Sequence, residues 1–361
     1  MRVIAIANQK GGCGKTTTAV ALAWTLAAKR RKTLLIDLDP QAHSTLSLGV
    51  NPEKVDLHIG DVMLGSVFET DGIRMREVVH SVRPDLSLAP AGVELSAIEH
   101  HLAGVEGREE RLAEHLAGLE SVYDTVVLDC PPAIGLLTFN ALIAAGEAIV
   151  PVDSSPLALQ GLGRLKETAR IILDMTGHMV RLRPLTTLYD PRTRVCREIH
   201  SLLRSEFGAD AIGQPIRYSV RLREKIGKGR VRSAMTPSGS AATDYGALAN
   251  QIVAEDLAGA RLESDHDVVP ILERAKGGVF LSFAGRSPEE VLLAGDFNAW
   301  VPDAGVKLER DARGRWRKFI PMAPGTYQYR FILRGQWVSD PRNPHQIMNG
   351  FGSRNSLVHI E

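Results

Sequence analysis

The sequence predicts an α/β fold, a mostly parallel sheet flanked by helices, followed by a small all-β sandwich of the immunoglobulin-like kind. Three observations carry this expectation. The apolar run at 3–7 feeds a glycine-rich loop that opens a helical stretch, a strand–turn–helix unit. Further apolar runs recur with helical stretches between them, the pattern of parallel strands covered on both faces. Beyond residue 277 the runs shorten, turn residues punctuate them, and no helical period exceeds one turn. The 361 residues suffice for about two domains, and 44% hydrophobic with 24% charged content describes an ordinary globular chain.

Taken in order, strands are expected at 3–7, 33–37, 86–90, 125–129, 148–152 and 185–188. The helix after the first strand is expected from Thr16 to Lys29, and Arg30-Arg31-Lys32 follows its C-terminus, where cations suit the helix dipole. A helix over 244–262 closes a first domain of residues 1–262. The polar run Glu263-Ser264-Asp265-His266-Asp267 begins a linker over 263–276. The sandwich then occupies 277–361, with strands at 279–283, 291–294, 316–320, 327–333 and 356–360. Three of the four tryptophans, Trp300, Trp316 and Trp337, fall in it, and Trp316 is expected in its core.

The loop Gln9-Lys10-Gly11-Gly12-Cys13-Gly14-Lys15-Thr16-Thr17 is a phosphate-binding loop with one lysine too many. Backbone N–H groups of Gly11 to Thr17 and the positive end of the helix suit a polyphosphate. Lys15 would neutralise its β and γ oxygens, and the Thr16 hydroxyl would sit on Mg²⁺. The generic pattern has glycine where Gln9 stands and does not require Lys10. Two more strands end in carboxylates at the carboxyl edge, where open α/β sheets bind ligands. One gives Asp37 and Asp39, and the other gives Asp129 ahead of Cys130-Pro131-Pro132, a segment like a Walker B strand end. Asp129 would hold Mg²⁺. The expected fold is therefore a P-loop NTPase, with a nucleoside polyphosphate and Mg²⁺ at the loop.

The placement of Lys10 resembles the deviant phosphate loop of the ParA/MinD/Soj ATPases. The likeness continues through Tyr189-Asp190-Pro191-Arg192-Thr193, Ser205-Glu206-Phe207-Gly208 and Pro215-Ile216-Arg217, and covers about 1–262. It implies a homodimer formed with ATP, in which Lys10 crosses to the partner's nucleotide. It implies that Asp39 positions the attacking water, that Asp37 supports the Mg²⁺ shell, and that Pro215 and Arg217 lie against the adenine. Lys10, Lys15 and Asp39 are then the catalytic candidates. Two departures concern partner-stimulated switching: Ala158-Leu159-Gln160-Gly161 has Gln160 where the family usually has glutamate, and the stretch after Arg221 differs from the usual pattern.

Charge is unevenly distributed. From Asp37 to Asp153 there are twenty Asp and Glu against six Lys and Arg, whereas from Arg164 to Arg232 sixteen Lys and Arg face seven Asp and Glu. The set Arg192, Arg194, Arg197, Arg204, Arg221, Arg223, Lys225, Lys228 and Arg230 suits contact with a phosphate backbone, as in the ParA relatives that bind DNA without sequence preference. The 244–262 helix is not basic, which argues against a membrane-binding tail of the MinD kind. Met1-Arg2 leads straight into a strand, with no secretory pattern, and three cysteines without metal-type spacing suit reduced thiols. Cys13 and Cys130 read as small fillers. The expected location is the cytoplasm, in part on the nucleoid.

Near the other end, Leu292-Leu293-Ala294-Gly295-Asp296-Phe297-Asn298-Ala299-Trp300 and the segment from Pro324 to Trp337, followed by Asp340-Pro341, resemble the glycogen-binding domain of the AMP-activated protein kinase β subunit and the family 48 carbohydrate-binding modules. The likeness spans about 277–361. It implies Trp300 and Trp337 as stacking platforms for the C–H faces of sugar rings, Arg330 and Asn355 as partners of hydroxyls, and Phe351 on a loop that threads the glucan. The combined expectation is a dimerising ATPase that positions a cargo, bearing an α-glucan-binding module and answering to an activating partner protein. The alternative is a regulatory ATPase switch whose sandwich docks proteins without binding sugar.

Overall fold

The computed structural model describes residues 1–68, 73–155, 158–176, 178–235, 239–264, 270–283, 291–302, 307–310, 316–333, 336–340, 343, 345–349 and 354–360. Two compact units result, Met1–Gln251 and Ile252–Glu361. The division falls inside the helix Ser240–Ser264, earlier than the expected boundary at 262.

The first unit is built on β1 (Arg2–Ile6), β2 (Thr33–Asp37), β3 (His80–Arg83), β4 (Leu86–Ala89), β5 (Thr125–Asp129), β6 (Glu147–Val152) and β7 (Arg181–Thr186). They lie in the order β3-β4-β2-β5-β1-β6-β7, parallel except for the antiparallel pair β3 and β4. Every residue of β2, β5 and β6 is buried, as strands covered on both faces require. The helix Lys15–Ala28 is apolar around most of its girth, and its Thr18 hydroxyl shares a 3.1 Å hydrogen bond with Tyr245 of the helix Ser240–Ser264. Among the described residues, no helix is long and apolar enough to cross a membrane.

Two strands depart from expectation for electrostatic reasons. β7 begins at Arg181 rather than 185, because its arginines are neutralised: Arg183 is fully buried 2.9 Å from Glu147, and Arg181 lies 2.5 Å from Asp210. β3 is short and three of its four residues are polar, so its edge position is invisible to an apolar pattern.

The second unit holds two antiparallel sheets. One contains β8 (Ile271–Ala275), β9 (Gly278–Phe283), β11 (Lys307–Arg310) and β12 (Trp316–Pro321) in the order β11-β12-β9-β8. The other contains β10 (Val291–Gly295), β13 (Gly325–Leu333), β16 (Arg354–Ile360) and β15 (Gln346–Met348), with β14 (Gln336–Val338) also on β13. Val279, Leu281, Phe283 and Ile320 of the first sheet pack with Val291, Leu293, Tyr329, Phe331 and Val358 of the second, and Trp316 packs against this core as expected. β8 falls in the stretch expected to be linker; two partly buried residues, Ile271 and Leu272, are too few to mark an edge strand by pattern.

Candidate functional site

Five neighbouring strands bring their carboxyl ends to one edge of the first unit, in the spatial order β2, β5, β1, β6, β7. They deliver Asp37, Asp129, the phosphate loop, Asp153 and Thr187. In the loop, Gly12 and Gly14 have φ of 76° and 97°, left-handed values that favour glycine, and Gly14 caps the helix that Lys15 opens. A fourteen-residue helix thereby points its positive end and free N–H groups into the loop.

The loop is tied down from three sides. Asn8 donates through Nδ2 to Pro151 O at 2.7 Å and accepts from Lys10 N at 3.1 Å. Thr187 donates to Cys13 O at 2.7 Å, and Lys15 Nζ donates to Lys10 O at 3.1 Å. Gly161 lets the helix Ala158–Thr176 approach: a Cβ there would fall 2.3 Å from Asn8 Oδ1. Cys13 and Cys130 are buried, which pushes both thiols up and keeps them protonated, as fillers should be.

The two lysines part company. Lys15 is buried and stays within the loop, whereas the Lys10 amine leaves it and bonds Asp153 and Ser155 beyond the end of β6. Burial alone would raise the Asp153 carboxyl; the bonds from Lys10 and Ser155 hold it below its ordinary value instead.

Asp37 and Asp129 are side by side in register on β2 and β5, both fully buried. Asp37 accepts from Thr45 N at 2.8 Å, from the Thr45 hydroxyl at 2.7 Å and from Asp39 N at 3.2 Å. Burial, then the Asp129 charge, pushes it up to about 8 against those bonds. Burial likewise lifts Asp129 to about 6, although the Ser44 and Thr16 hydroxyls and Lys15 pull it down. Ser44 donates to Asp129 Oδ2 at 2.7 Å, while Asp129 Oδ1 is buried with no hydrogen-bond partner among the described residues. An orphaned carboxylate oxygen beside a loop threonine fits a hard divalent cation whose other ligands come from water and phosphate. Among the described residues, no three or more His, Cys, Asp or Glu side chains cluster so as to hold a metal. Asp39 is buried at the same edge, its Oδ1 accepting from Gln41 N at 3.0 Å.

Pro215 and Arg217 belong to a segment that runs beside the end of β7: Ile216 N bonds Thr186 O at 2.8 Å and Tyr189 N bonds Ile216 O at 3.0 Å. Arg217 grips the buried Asp244 through its backbone N–H and its guanidinium, at 2.8 to 3.1 Å. The expected adenine segment and the phosphate loop are thus anchored on consecutive residues, Thr186 and Thr187.

Arg204 aside, the basic set divides into two kinds. Arg192 makes a bidentate pair with Asp190, Arg194 pairs with Glu198 at 2.6 Å, Arg197 donates to Pro191 O, and Lys225 donates to Ser233 O. Arg221, Arg223, Lys228 and Arg230 are exposed and have no carboxylate within 4 Å among the described residues. Tyr218 N bonds Tyr189 O at 3.0 Å, so both basic stretches begin from one place beside β7.

In the second unit, Trp300 and Trp337 are partly buried neighbours with ring centroids 6.0 Å apart and planes at 37°. Arg330 donates to Trp337 O at 2.6 Å, and desolvation draws its guanidinium down to about 10, still charged at neutral pH. Trp337 pairs with Ile332, and Tyr329 and Phe331 fill the core, so Gln328, Arg330, Ile332 and Trp337 share the outer face of the sheet. Asn355 is buried, its amide spent between Gln328 and Asn349 at 2.9 Å each. Leu357 lies opposite Gln328 in the register, and Asn355, two residues from Leu357, belongs to the same face. Phe351 lies outside the described residues. Sequence reasoning missed Asn8, Ser44, Thr45, Asp153 and Thr187 in the first unit and Asp296 and Gln328 in the second.

Comparison with known proteins agrees with both units. A family profile described as an AAA domain matches residues 1–181, and one described as the glycogen recognition site of AMP-activated protein kinase matches 280–361. The chain is 37% identical over 257 residues to the chromosome-partitioning ATPase Soj of Thermus thermophilus, covering 70% of this chain and 96% of that protein. It is 33% identical over 254 residues to the sporulation initiation inhibitor protein Soj of Bacillus subtilis, covering 70% and 98%. A solved structure of Mycobacterium smegmatis cobyrinic acid a,c-diamide synthase, with bound ATP analog and magnesium, superposes with a TM-score of 0.62 at 31% identity, covering 72% of this chain and 97% of that one. With its phosphate loop, edge aspartates and strand order, the chain belongs to the ParA/Soj family of P-loop ATPases, and its residues 280–361 match the glycogen-recognition profile.

Proposed function

We propose that this chain is an ATP-hydrolysing, ATP-dependent homodimer that positions a cargo by binding DNA without sequence preference, the cargo being held through an α-glucan-binding second unit. The carrying observation is Lys10: a cation surplus to the phosphate loop, extended away from it and held on Asp153 and Ser155. A cation surplus to its own loop supports the reading that it serves a second phosphate site, that of the partner copy.

The loop N–H groups and Lys15 bind and orient the polyphosphate of ATP. Thr16 and Asp129 would hold magnesium, which when bound neutralises phosphate charge. Asp39 orients the attacking water. Asp153 stores Lys10 until the partner's phosphates compete for it, so hydrolysis follows dimerisation. Arg221, Arg223, Lys228 and Arg230, free of carboxylate partners among the described residues, are the groups available to a DNA backbone, supported by the Arg192, Arg194, Arg197 and Lys225 cluster. The paired indoles and Arg330 suit an α-glucan.

ATP turnover measured with duplex DNA and with glycogen, separately and together, tests the reading. DNA affinity is expected only with ATP and should fall steeply with salt; affinity that ignores either overturns the DNA assignment. Glycogen should retain the wild-type chain but not Trp300→Ala or Trp337→Ala, and equal retention of all three overturns the glucan assignment.

A further inference from the structure

Trp300 sits in the left-handed region with φ 58°, directly after Ala299 at φ 50°. A bulky aromatic residue is a rare occupant there, and two such residues in succession persist only where surrounding structure imposes them. Here it does so from every side. Phe297 enters the partly buried shell of the core and meets Tyr327 edge-on at 6.1 Å. Asn298 accepts from Gly295 N at 2.9 Å and donates to Leu293 O at 3.1 Å. Gly295 permits the turn to press on β13, since a Cβ would fall 2.3 Å from Gln328 O.

The side chain that aims the indole is Asp296. Its Oδ1 accepts from Trp300 Nε1 at 3.1 Å, and its Oδ2 accepts from Gln328 N at 2.7 Å. From Gln328 the chain of bonds continues through its Oε1 to Asn355 and on to Asn349, 2.9 Å at each step. A single polar spine thus runs along the outer face, from the indole N–H to the loop that follows β15. Because Asp296 consumes the only donor of the indole, the ring offers a ligand its face and nothing else.

We propose that Asp296 is the positioning residue of the stacking platform: its carboxylate bolts Trp300 to β13 so that the ring holds its station beside Trp337, and Gln328 carries that register across the face to Asn355. This rests on the α-glucan reading given above. A glucan coil presents sugar faces at a fixed spacing, so two indoles serve it only if their separation is fixed before the ligand arrives.

The experiment uses the full chain and two readouts. The exciton couplet of the indole pair in the ultraviolet circular dichroism spectrum, identified by its disappearance in Trp337→Phe, reports the pairing without any ligand. Affinity electrophoresis in glycogen reports binding. Asp296→Ala should lose the couplet and weaken glycogen affinity by roughly tenfold or more, with an unchanged melting profile. Asp296→Asn keeps one acceptor oxygen for two N–H donors and turns its NH₂ against the other, so it should recover at most part of the couplet and of the affinity. A couplet that survives Asp296→Ala overturns the proposal, as does a lost couplet with undiminished glycogen affinity. If glycogen does not retard the wild-type chain, the glucan reading falls, and the couplet alone then judges Asp296.

Discussion

Asp129→Asn offers the sharpest test of the magnesium edge. Burial moves this carboxyl from 3.8 to about 6, so ionising it inside the metal-free fold works against folding. That displacement is worth ~3 kcal/mol between the two protonation states. The sign follows from linkage: a carboxyl raised in the folded state leaves stability intact at low pH, and the loss accumulates as pH climbs from about 4 through 6. The asparagine keeps an acceptor for Ser44 and never ionises. Without metal or nucleotide at pH 7, Asp129→Asn should therefore be the more stable protein by ~3 kcal/mol, which raises the transition of the first unit by about 6–12 °C in calorimetry. The gap should close as pH approaches 4. The same variant should lose the magnesium-dependent part of its ATP affinity. Parallel melting curves for the two proteins between pH 4 and 7 would refute the claim that Asp129 is a buried acid waiting for a cation.

Three further expectations follow from the geometry. Lys10→Ala should bind nucleotide nearly as well as wild type in a fluorescence titration, yet hydrolyse it ~10³-fold more slowly, the scale of a cation supplied across an interface; wild-type turnover in this variant would remove Lys10 from the mechanism. Gly161→Ala would thrust a methyl to within 2.3 Å of Asn8 Oδ1 and break its hold on Pro151 and Lys10, so thermal melts should show a loss of ~1–3 kcal/mol together with weaker nucleotide binding. Replacing both Arg221 and Arg223 by alanine should reduce the slope of DNA affinity against salt by about 2 in filter binding, and an unchanged slope would exclude them from the backbone contact.

The fold was legible wherever burial was symmetric. β2, β5 and β6 are covered on both faces and read as unbroken apolar runs, so they were found within a residue. The strands missed are polar or very short: β3, β8 and β11 carry His, Glu, Arg and Lys among few apolar residues, and β14 and β15 have only three residues each, whereas β10, equally at an edge, was found by its apolar run. At the site, residues that touch phosphate were readable because a loop motif fixes their spacing. Their supports were not. Thr187 reaches Cys13 across 174 positions of sequence and Asp153 reaches Lys10 across 143, and no local pattern announces such pairings. Ser44 and Thr45 follow Asp39 closely, yet only the register of β2 with β5 reveals that they bond Asp129 and Asp37. Asp296 lay inside a recognised motif, but its two bonds depend on a left-handed turn that sequence alone leaves unspecified.

The tethers on the phosphate loop have a thermodynamic consequence. Pro151, Thr187 and Lys15 already fix the carbonyls of Lys10 and Cys13 and the side chain of Asn8, so the loop is preorganised. Ordering a flexible glycine loop at the moment of binding would spend much of the polyphosphate's interaction energy on conformational entropy. Here that entropy was surrendered when the sheet folded. The nucleotide can then direct its binding energy into drawing the Lys10 amine off Asp153 and Ser155.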